Sequence, residues 1–244
     1  MTNVPPPYPI ALNVAGRRCV VVGGGAVAER KVRGLLASGA AVTTIAPELT
    51  DGLRALASTG TIRVAQRPYA PGDLEGAWLA FAATDRREVN AAVVAEARER
   101  GVAVNCADAP GEGDFSVPAL VRRGRLTVGV STAGGSPIVA GLVRDRLAAV
   151  LTDGFVALLD LAAAVREEGL AGGRRWAPEV WRAALSPETL ALAETGRLDE
   201  AEHRLRETLE TMNRQDAKSA KAAKNDRENS LDQVGQDRAR VGAG

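Results

Sequence analysis

One histidine and two cysteines are all that 244 residues offer as imidazole or thiolate ligands for a metal. With His203 alone and no Cys-x-x-Cys, a structural zinc site is excluded, and no metal site is expected. Cys19 and Cys106 each lie in an apolar, strand-like run and read as reduced core residues rather than a disulfide. An excess of charge is also missing. The 31 Lys and Arg against 30 Asp and Glu leave a formal charge of +1, far from the basic surplus of a chain that grips nucleic-acid phosphates. An acidic ligand would have to be met by a local group of cations. No apolar run approaches the roughly 20 residues that cross a bilayer, so no membrane partner is expected. Met1–Pro9 lacks the charged and apolar regions of a secretory signal, and a cytoplasmic protein is expected.

What the chain has is an ordinary globular composition, 45% apolar and 25% charged, in enough residues for one large domain or two small ones. Its first half alternates strand and helix patterns. Arg17–Val22 reads as a buried strand ending in three glycines, and Ala26–Ser38 as a helix with Ala28, Val32, Leu35 and Leu36 on one stripe. Ala41–Ile45, Thr61–Ala65, Gly76–Ala82 and Val102–Cys106 are further strands. Before the last of them, Val89, Val93 and Ala97 mark a helix expected to open at Asp85, with Glu88 completing a capping box. This alternation predicts an α/β, Rossmann-like parallel sheet over residues 1–112.

After Pro110 the pattern changes. Phe115–Val121 and Leu126–Ser131 flank an Arg-Arg-Gly turn and read as a strand pair. Ser136-Pro137 opens a helix through Leu151, and the pair with its helix spans 113–150. Helices then follow over 151–213, marked by Phe155 to Val165, by Ser186-Pro187, and by Leu198, Ala201, Leu205 and Leu209. Residues 214–244, without aromatics and nearly without large apolar residues, read as a disordered tail.

Gly23-Gly24-Gly25-Ala26-Val27-Ala28 fits the dinucleotide fingerprint G-x-G-x-x-G/A in the required strand–turn–helix setting. Gly23 allows the tight turn, Gly25 a close approach of backbone to a pyrophosphate, and Ala28 close packing of helix on strand. Glu48 and Asp51 follow the second strand, where an acidic residue would hold the adenosine ribose. No arginine comes before Arg54, which favours NAD over NADP. Asp108 lies just beyond the C-terminal end of the strand Val102–Cys106, the edge at which open α/β sheets bind ligands. It reads either as a base, with its acidity weakened by a partly apolar cleft, or as a residue shaping the Ala-Pro turn.

The strings VVVGGGAVAERKV (Val20–Val32), IAPEL (Ile45–Leu49), AATD (Ala82–Asp85), VNCADAP (Val104–Pro110) and FSVPALVRRGRLTVGVSTAGGSP (Phe115–Pro137) occur in one order over about residues 8–150. In that order they resemble the siroheme synthase N-terminal family of precorrin-2 dehydrogenases, some of which are also sirohydrochlorin ferrochelatases. The methyltransferase domain that some members carry is not matched. The resemblance implies NAD-dependent oxidation of precorrin-2 to sirohydrochlorin and leaves Fe²⁺ insertion open. It also implies a homodimer formed through the middle segment and a helical part closing over the tetrapyrrole. The family's cofactor contacts match Ala26, Val27, Pro47, Glu48 and Thr84, beside Gly23, Gly24 and Gly25. Its essential aspartate matches Asp108, and a serine near its substrate cleft falls on Thr132, next to Ser131.

A substrate with eight carboxylates needs cations. Arg122, Arg123 and Arg125 at the hairpin turn, Arg144 and Arg146 on the next helix, and Arg174-Arg175 are the candidates. Trp176 and Trp181 suit either a flat macrocycle or helix packing. Two other readings stand beside this one. A short-chain oxidoreductase is disfavoured because neither Tyr8 nor Tyr69 has a lysine four residues on, and a nucleotide-sensing module would keep the fingerprint without needing Asp108.

Overall fold

The computed structural model describes residues 6–214. The expected tail lies outside them, apart from residue 214, which is helical. Among the described residues two compact units separate: the chain to Pro118 together with Ser131–Pro137, and Ala119–Val130 together with the chain from Ile138.

The first unit is a five-stranded parallel sheet of β1 (Arg18–Val22), β2 (Ala41–Ile45), β3 (Arg63–Ala65), β4 (Leu79–Ala82) and β5 (Ala103–Cys106), in the order β3-β2-β1-β4-β5. Three helices connect it: α1 (Ala26–Leu36), α2 (Asp51–Ser58) and α3 (Arg87–Arg100). Both faces of the sheet are covered, so the strand side chains sort by parity. Cys19 and Val21 join Ala28, Val32 and Leu53 of α1 and α2 in one core. Val20 and Val22 join Val93, Val94 and Ala97 of α3 in the other. Burial of each such Val or Leu contributes about 1.5–3 kcal/mol, and this two-sided burial is why β1 reads as an unbroken apolar run.

The chain winds outward from β1 to β3, then crosses to the far side of β1 for β4. That reversal places a switch point between β1 and β4, where open α/β sheets form their crevice.

Local chemistry sets the helix starts. Thr50 caps α2 by accepting from the Leu53 amide at 3.2 Å. The capping box expected at Asp85 and Glu88 does not form. α3 starts at Arg87 without a side-chain cap, and Glu88 pairs with Arg86 instead. The Thr84 hydroxyl accepts from the Arg86 amide at 3.2 Å and shapes this turn. α2 carries a single buried residue, Leu53, too weak a stripe for the sequence to announce.

The second unit pairs β6 (Ala119–Arg123) antiparallel with β7 (Leu126–Val130). The turn is Gly124-Arg125, one residue later than the Arg-Arg-Gly expected, because Gly124 supplies the positive φ of 54°. The helices are α4 (Pro137–Val150), α5 (Asp153–Ala171), α6 (Pro178–Ala184), α7 (Pro187–Glu194) and α8 (198–214). Val165, Val180, Ala184, Leu205 and Leu209 form one small core, with Trp176 and Trp181 packed on it in an edge-to-face pair 5.7 Å apart. A Cβ on Gly169 would meet the Trp176 ring, so that glycine seats the indole. Among the described residues no single helix is long and apolar enough to cross a membrane. α4 and α5 reach that length and composition only as a pair bent by 72°.

Candidate functional site

Register brings the singled-out residues of the first unit to one edge. Val22 pairs with both Ile45 and Ala82, and Ala82 pairs with Cys106, so four strands end level. The segments that follow carry Gly23–Gly25, Pro47 and Glu48, Thr84, and Asp108 respectively.

The three glycines differ in what demands them. Gly23 has φ 129°, its amide donates to the Ile45 carbonyl at 2.9 Å, and a Cβ there would collide with the Ala83 carbonyl. A Cβ on Gly24 would collide with the Glu48 carbonyl, and the Gly24 carbonyl accepts from the Thr50 amide at 3.0 Å. Gly25 has extended backbone (φ −83°, ψ −176°) that any residue adopts, and a Cβ would meet nothing within 4 Å. The fold itself needs the first two glycines and not the third. What Gly25 does is leave bare backbone at the start of α1, where Gly25, Ala26 and Val27 are exposed and no side chain caps the helix. Outward N–H groups and the positive end of the helix make a cradle that a side chain would fill, and dinucleotide phosphates fit it. Gly23, Gly24, Gly25, Ala26 and Val27 would hold them.

At the end of β2, Pro47 and Glu48 are exposed beside this loop. Thr50 donates to Glu29 Oε2 at 2.5 Å and ties α2 to α1. That bond, with the one from Arg33, holds the Glu29 carboxyl below its ordinary range.

Asp108 is exposed at the sheet edge, and its carboxylate accepts from the Cys106 thiol at 3.1 Å and lies 3.9 Å from Arg87, which also pairs with Glu112. The expected weakening of its acidity is not found. Burial pushes the pKa up, but the Cys106 thiol, its own backbone N–H, the Asn90 amide and the Arg87 charge pull harder, and the result is lower than ordinary. Burial and the neighbouring carboxylate push the Cys106 thiol the other way, above its ordinary value. Asp108 is therefore a carboxylate throughout the neutral range.

Sequence reasoning passed over Asn90, Cys106 and Arg87 as partners of this group. Asn90 did carry a signal: it continues the buried face of α3 three residues before Val93, where an apolar side chain is expected.

The other candidates are engaged locally. Ser131 Oγ accepts from the Ala133 amide at 3.3 Å; Thr132 Oγ1 accepts from the Ser136 amide at 3.1 Å and bonds the Ser136 carbonyl at 3.2 Å. Both hydroxyls shape a turn in which Ala133 is the one non-glycine residue with positive φ (51°) among the described residues. Arg122, Arg123 and Arg144 belong to the second unit. Arg123 pairs with Asp153 at 2.9 Å, Arg144 with Asp145 at 2.7 Å, and Arg125 with Asp160 and Glu167 at 3.7 and 3.5 Å. Arg174 lines a cavity of about 270 Å³ with Trp176 and Arg206.

Known proteins agree with this geometry. A family model described as "Putative NAD(P)-binding" matches residues 10–119, the parallel-sheet unit and its exit. Siroheme synthase 1 of Aeromonas salmonicida is 38% identical over 190 residues, covering 76% of this chain and 40% of that protein. The siroheme synthase of Methylococcus capsulatus is 39% identical over 214 residues, covering 85% and 44%. This chain thus spans less than half the length of these relatives. The solved structure titled "SirC, precorrin-2 dehydrogenase" superposes with a TM-score of 0.61 at 25% identity, covering 85% of this chain and 99% of that one. These comparisons support a nicotinamide dinucleotide as the cofactor class of the parallel-sheet unit. The chain belongs to the siroheme synthase N-terminal family.

Proposed function

We propose that this protein oxidises precorrin-2 to sirohydrochlorin, using NAD as the hydride acceptor. The observation that carries the reading is the shared edge: the bare helix start at Gly25 and the ionised carboxylate of Asp108 follow strands of one sheet, separated only by β4. The oxidation removes a hydride and a proton from the tetrapyrrole. Bound nicotinamide supplies the hydride acceptor. The residues of the chain do the rest. Gly23–Val27 hold the phosphates, Thr84 lines the neighbouring loop, and Asp108, already ionised, takes the proton.

NAD is favoured over NADP because the residues after β2 offer an exposed carboxylate, Glu48, and no spare cation. Arg54 is turned onto the Leu49 carbonyl and Asp51, and Arg67 onto Asp73. The substrate carboxylates are assigned to Arg122, Arg123 and Arg144 with Ser131 and Thr132, Arg123 and Arg144 exchanging their ion pairs with Asp153 and Asp145 for the ligand. A homodimer completes the protein. It is supported by α4, whose only buried residue is Ala140 while Ile138, Leu142 and Val150 are 76%, 60% and 66% exposed.

The test is anaerobic turnover of purified protein with precorrin-2 and either NAD or NADP, followed by addition of Fe²⁺. NADH formation tied to sirohydrochlorin supports the reading, and its absence overturns it. Loss of free sirohydrochlorin on adding Fe²⁺ would extend the activity to chelation, with Asp108 as acceptor for the pyrrole protons.

A further inference from the structure

The two carboxylate oxygens of Asp108 have different surroundings. Oδ1 accepts from the Cys106 thiol at 3.1 Å, and that thiol is buried. Oδ2 faces Arg87, whose Nη1 lies 3.9 Å away, close enough for an ion pair and too far for a hydrogen bond. Arg87 is the first residue of α3, and its Nη2 pairs with Glu112. Glu112 is itself fixed: its amide donates to the Ala109 carbonyl at 2.9 Å, and its carbonyl accepts from Arg98 at 2.8 Å. One end of the guanidinium is thus anchored. The other end, Nη1, has no hydrogen-bond acceptor among the described residues, and the side chain is half-exposed. The helix does not account for this arginine. The positive end of the α3 dipole lies there without a side-chain cap, and a cation at that position is disfavoured.

We propose that Arg87 is a substrate-binding residue at the sheet edge: its Nη1 takes one carboxylate of the tetrapyrrole and so sets the macrocycle against Oδ2 of Asp108. Carboxylates ring the macrocycle, so a ring atom that gives its proton to Oδ2 has an acid group only a few bonds away. A guanidinium nitrogen 3.9 Å from that oxygen is spaced to hold it. The planar fork suits the task. Nη2 stays on Glu112 while the two hydrogens of Nη1 turn to the ligand, so no ion pair has to be given up, in contrast to Arg123 and Arg144. A lysine would have one nitrogen to share between both partners. Arg87, Cys106, Asp108 and Glu112 all belong to the first unit, and the arrangement is complete within it.

The inference rests on the dehydrogenase reading, so its test has one arm that does not need turnover. The full chain, Arg87→Gln, Arg87→Lys and Glu112→Gln are compared by anaerobic equilibrium dialysis against sirohydrochlorin, by calorimetry with NAD, and by initial rates with precorrin-2. Arg87→Gln raises the Kd for sirohydrochlorin and the KM for precorrin-2 about 10-fold each, the worth of one charge-assisted hydrogen bond at a half-exposed site. Its kcat and NAD affinity stay within a few-fold of wild type. Added salt narrows the gap between wild type and Arg87→Gln. Arg87→Lys keeps the charge without the fork and falls between the two. Glu112→Gln loosens the anchor and raises KM by less than Arg87→Gln does. A lower kcat with unchanged Kd and KM in Arg87→Gln would make Arg87 a partner of Asp108 alone and overturn the proposal, as would Kd and KM near wild type. If wild type oxidises precorrin-2 while these constants do not move, this inference alone falls. If wild type neither binds sirohydrochlorin nor oxidises precorrin-2, the dehydrogenase reading falls and takes the inference with it.

Discussion

The glycine loop after β1 and the arginine turn between β6 and β7 both stand out in the sequence, yet they stand differently in the structure. In the first, two glycines are demanded by the backbone around them and the third by nothing in the chain. In the second, Arg123 and Arg125 already have carboxylate partners on α5. A residue that the fold does not explain points outward to a ligand, whereas one that the fold fully employs must be released before it can serve. The glycine loop thus leaves bare backbone open to a ligand, whereas Arg123, Arg125 and Arg144 of the second unit are held in ion pairs that any anionic ligand there would have to displace.

The sharpest break in that comparison is at Asp108, the group at the edge with the most chemistry. Asp108→Ala and Asp108→Asn should both cut turnover roughly 10²–10⁴-fold and leave NAD affinity within a few-fold. Near-normal turnover of the Asn variant would make Asp108 a turn residue. Because its carboxyl is held below the ordinary range, near 3.9 in an unfolded chain, wild-type kcat/KM should show no acid limb from this group above about pH 4. The same shift stabilises the fold above the unfolded value, and that contribution is lost as pH falls through the folded one.

The glycines come next. Gly25→Val should lower NAD affinity by about 10²-fold or more with the melting temperature nearly unchanged, since the side chain enters open space. Gly24→Ala should do the reverse in kind, lowering stability because its Cβ overlaps the Glu48 carbonyl. Calorimetry and thermal unfolding of the two variants would separate a ligand's glycine from a backbone's.

On the second unit, Leu142→Asp should convert a dimer to monomer at micromolar concentration in sedimentation, without unfolding, because Leu142 is 60% exposed. A wild-type chain that already sediments as a monomer would remove the homodimer. The smallest effect is expected in the turn at 131–135. Ala133→Gly should raise stability by up to about 1 kcal/mol by relieving its positive φ, with urea denaturation as the readout.

The two regions were also unequally legible. β1, α1, β2 and the glycine loop could be read from local pattern, because strands buried on both faces leave an apolar run and α1 leaves a stripe of Ala28, Val32 and Leu35. Asp108 was legible as a position. Its acidity was not, because that depends on how the folded turn aims the Cys106 thiol and the backbone N–H of Asp108 at the carboxylate, with Asn90 and Arg87 of α3 adding to their pull. α2 and α6 were missed because they are short and bury few residues. The hydroxyls of the turn at Ser131–Pro137 were legible as well. With no histidine near them in sequence, Ser131 and Thr132 are expected to contact backbone rather than act as nucleophiles, and both accept neighbouring backbone N–H groups.

The thiol that donates to Asp108 has a chemical consequence of its own. Cysteine reacts with alkylating agents and peroxide as the thiolate, and burial beside a carboxylate keeps Cys106 protonated at neutral pH. A hydrogen-bond donor of this kind serves Asp108 while resisting alkylation and oxidation itself. Cys19, its thiol pushed up to about 11 by burial, is equally inert. Iodoacetamide at neutral pH should therefore leave both sulfurs unmodified.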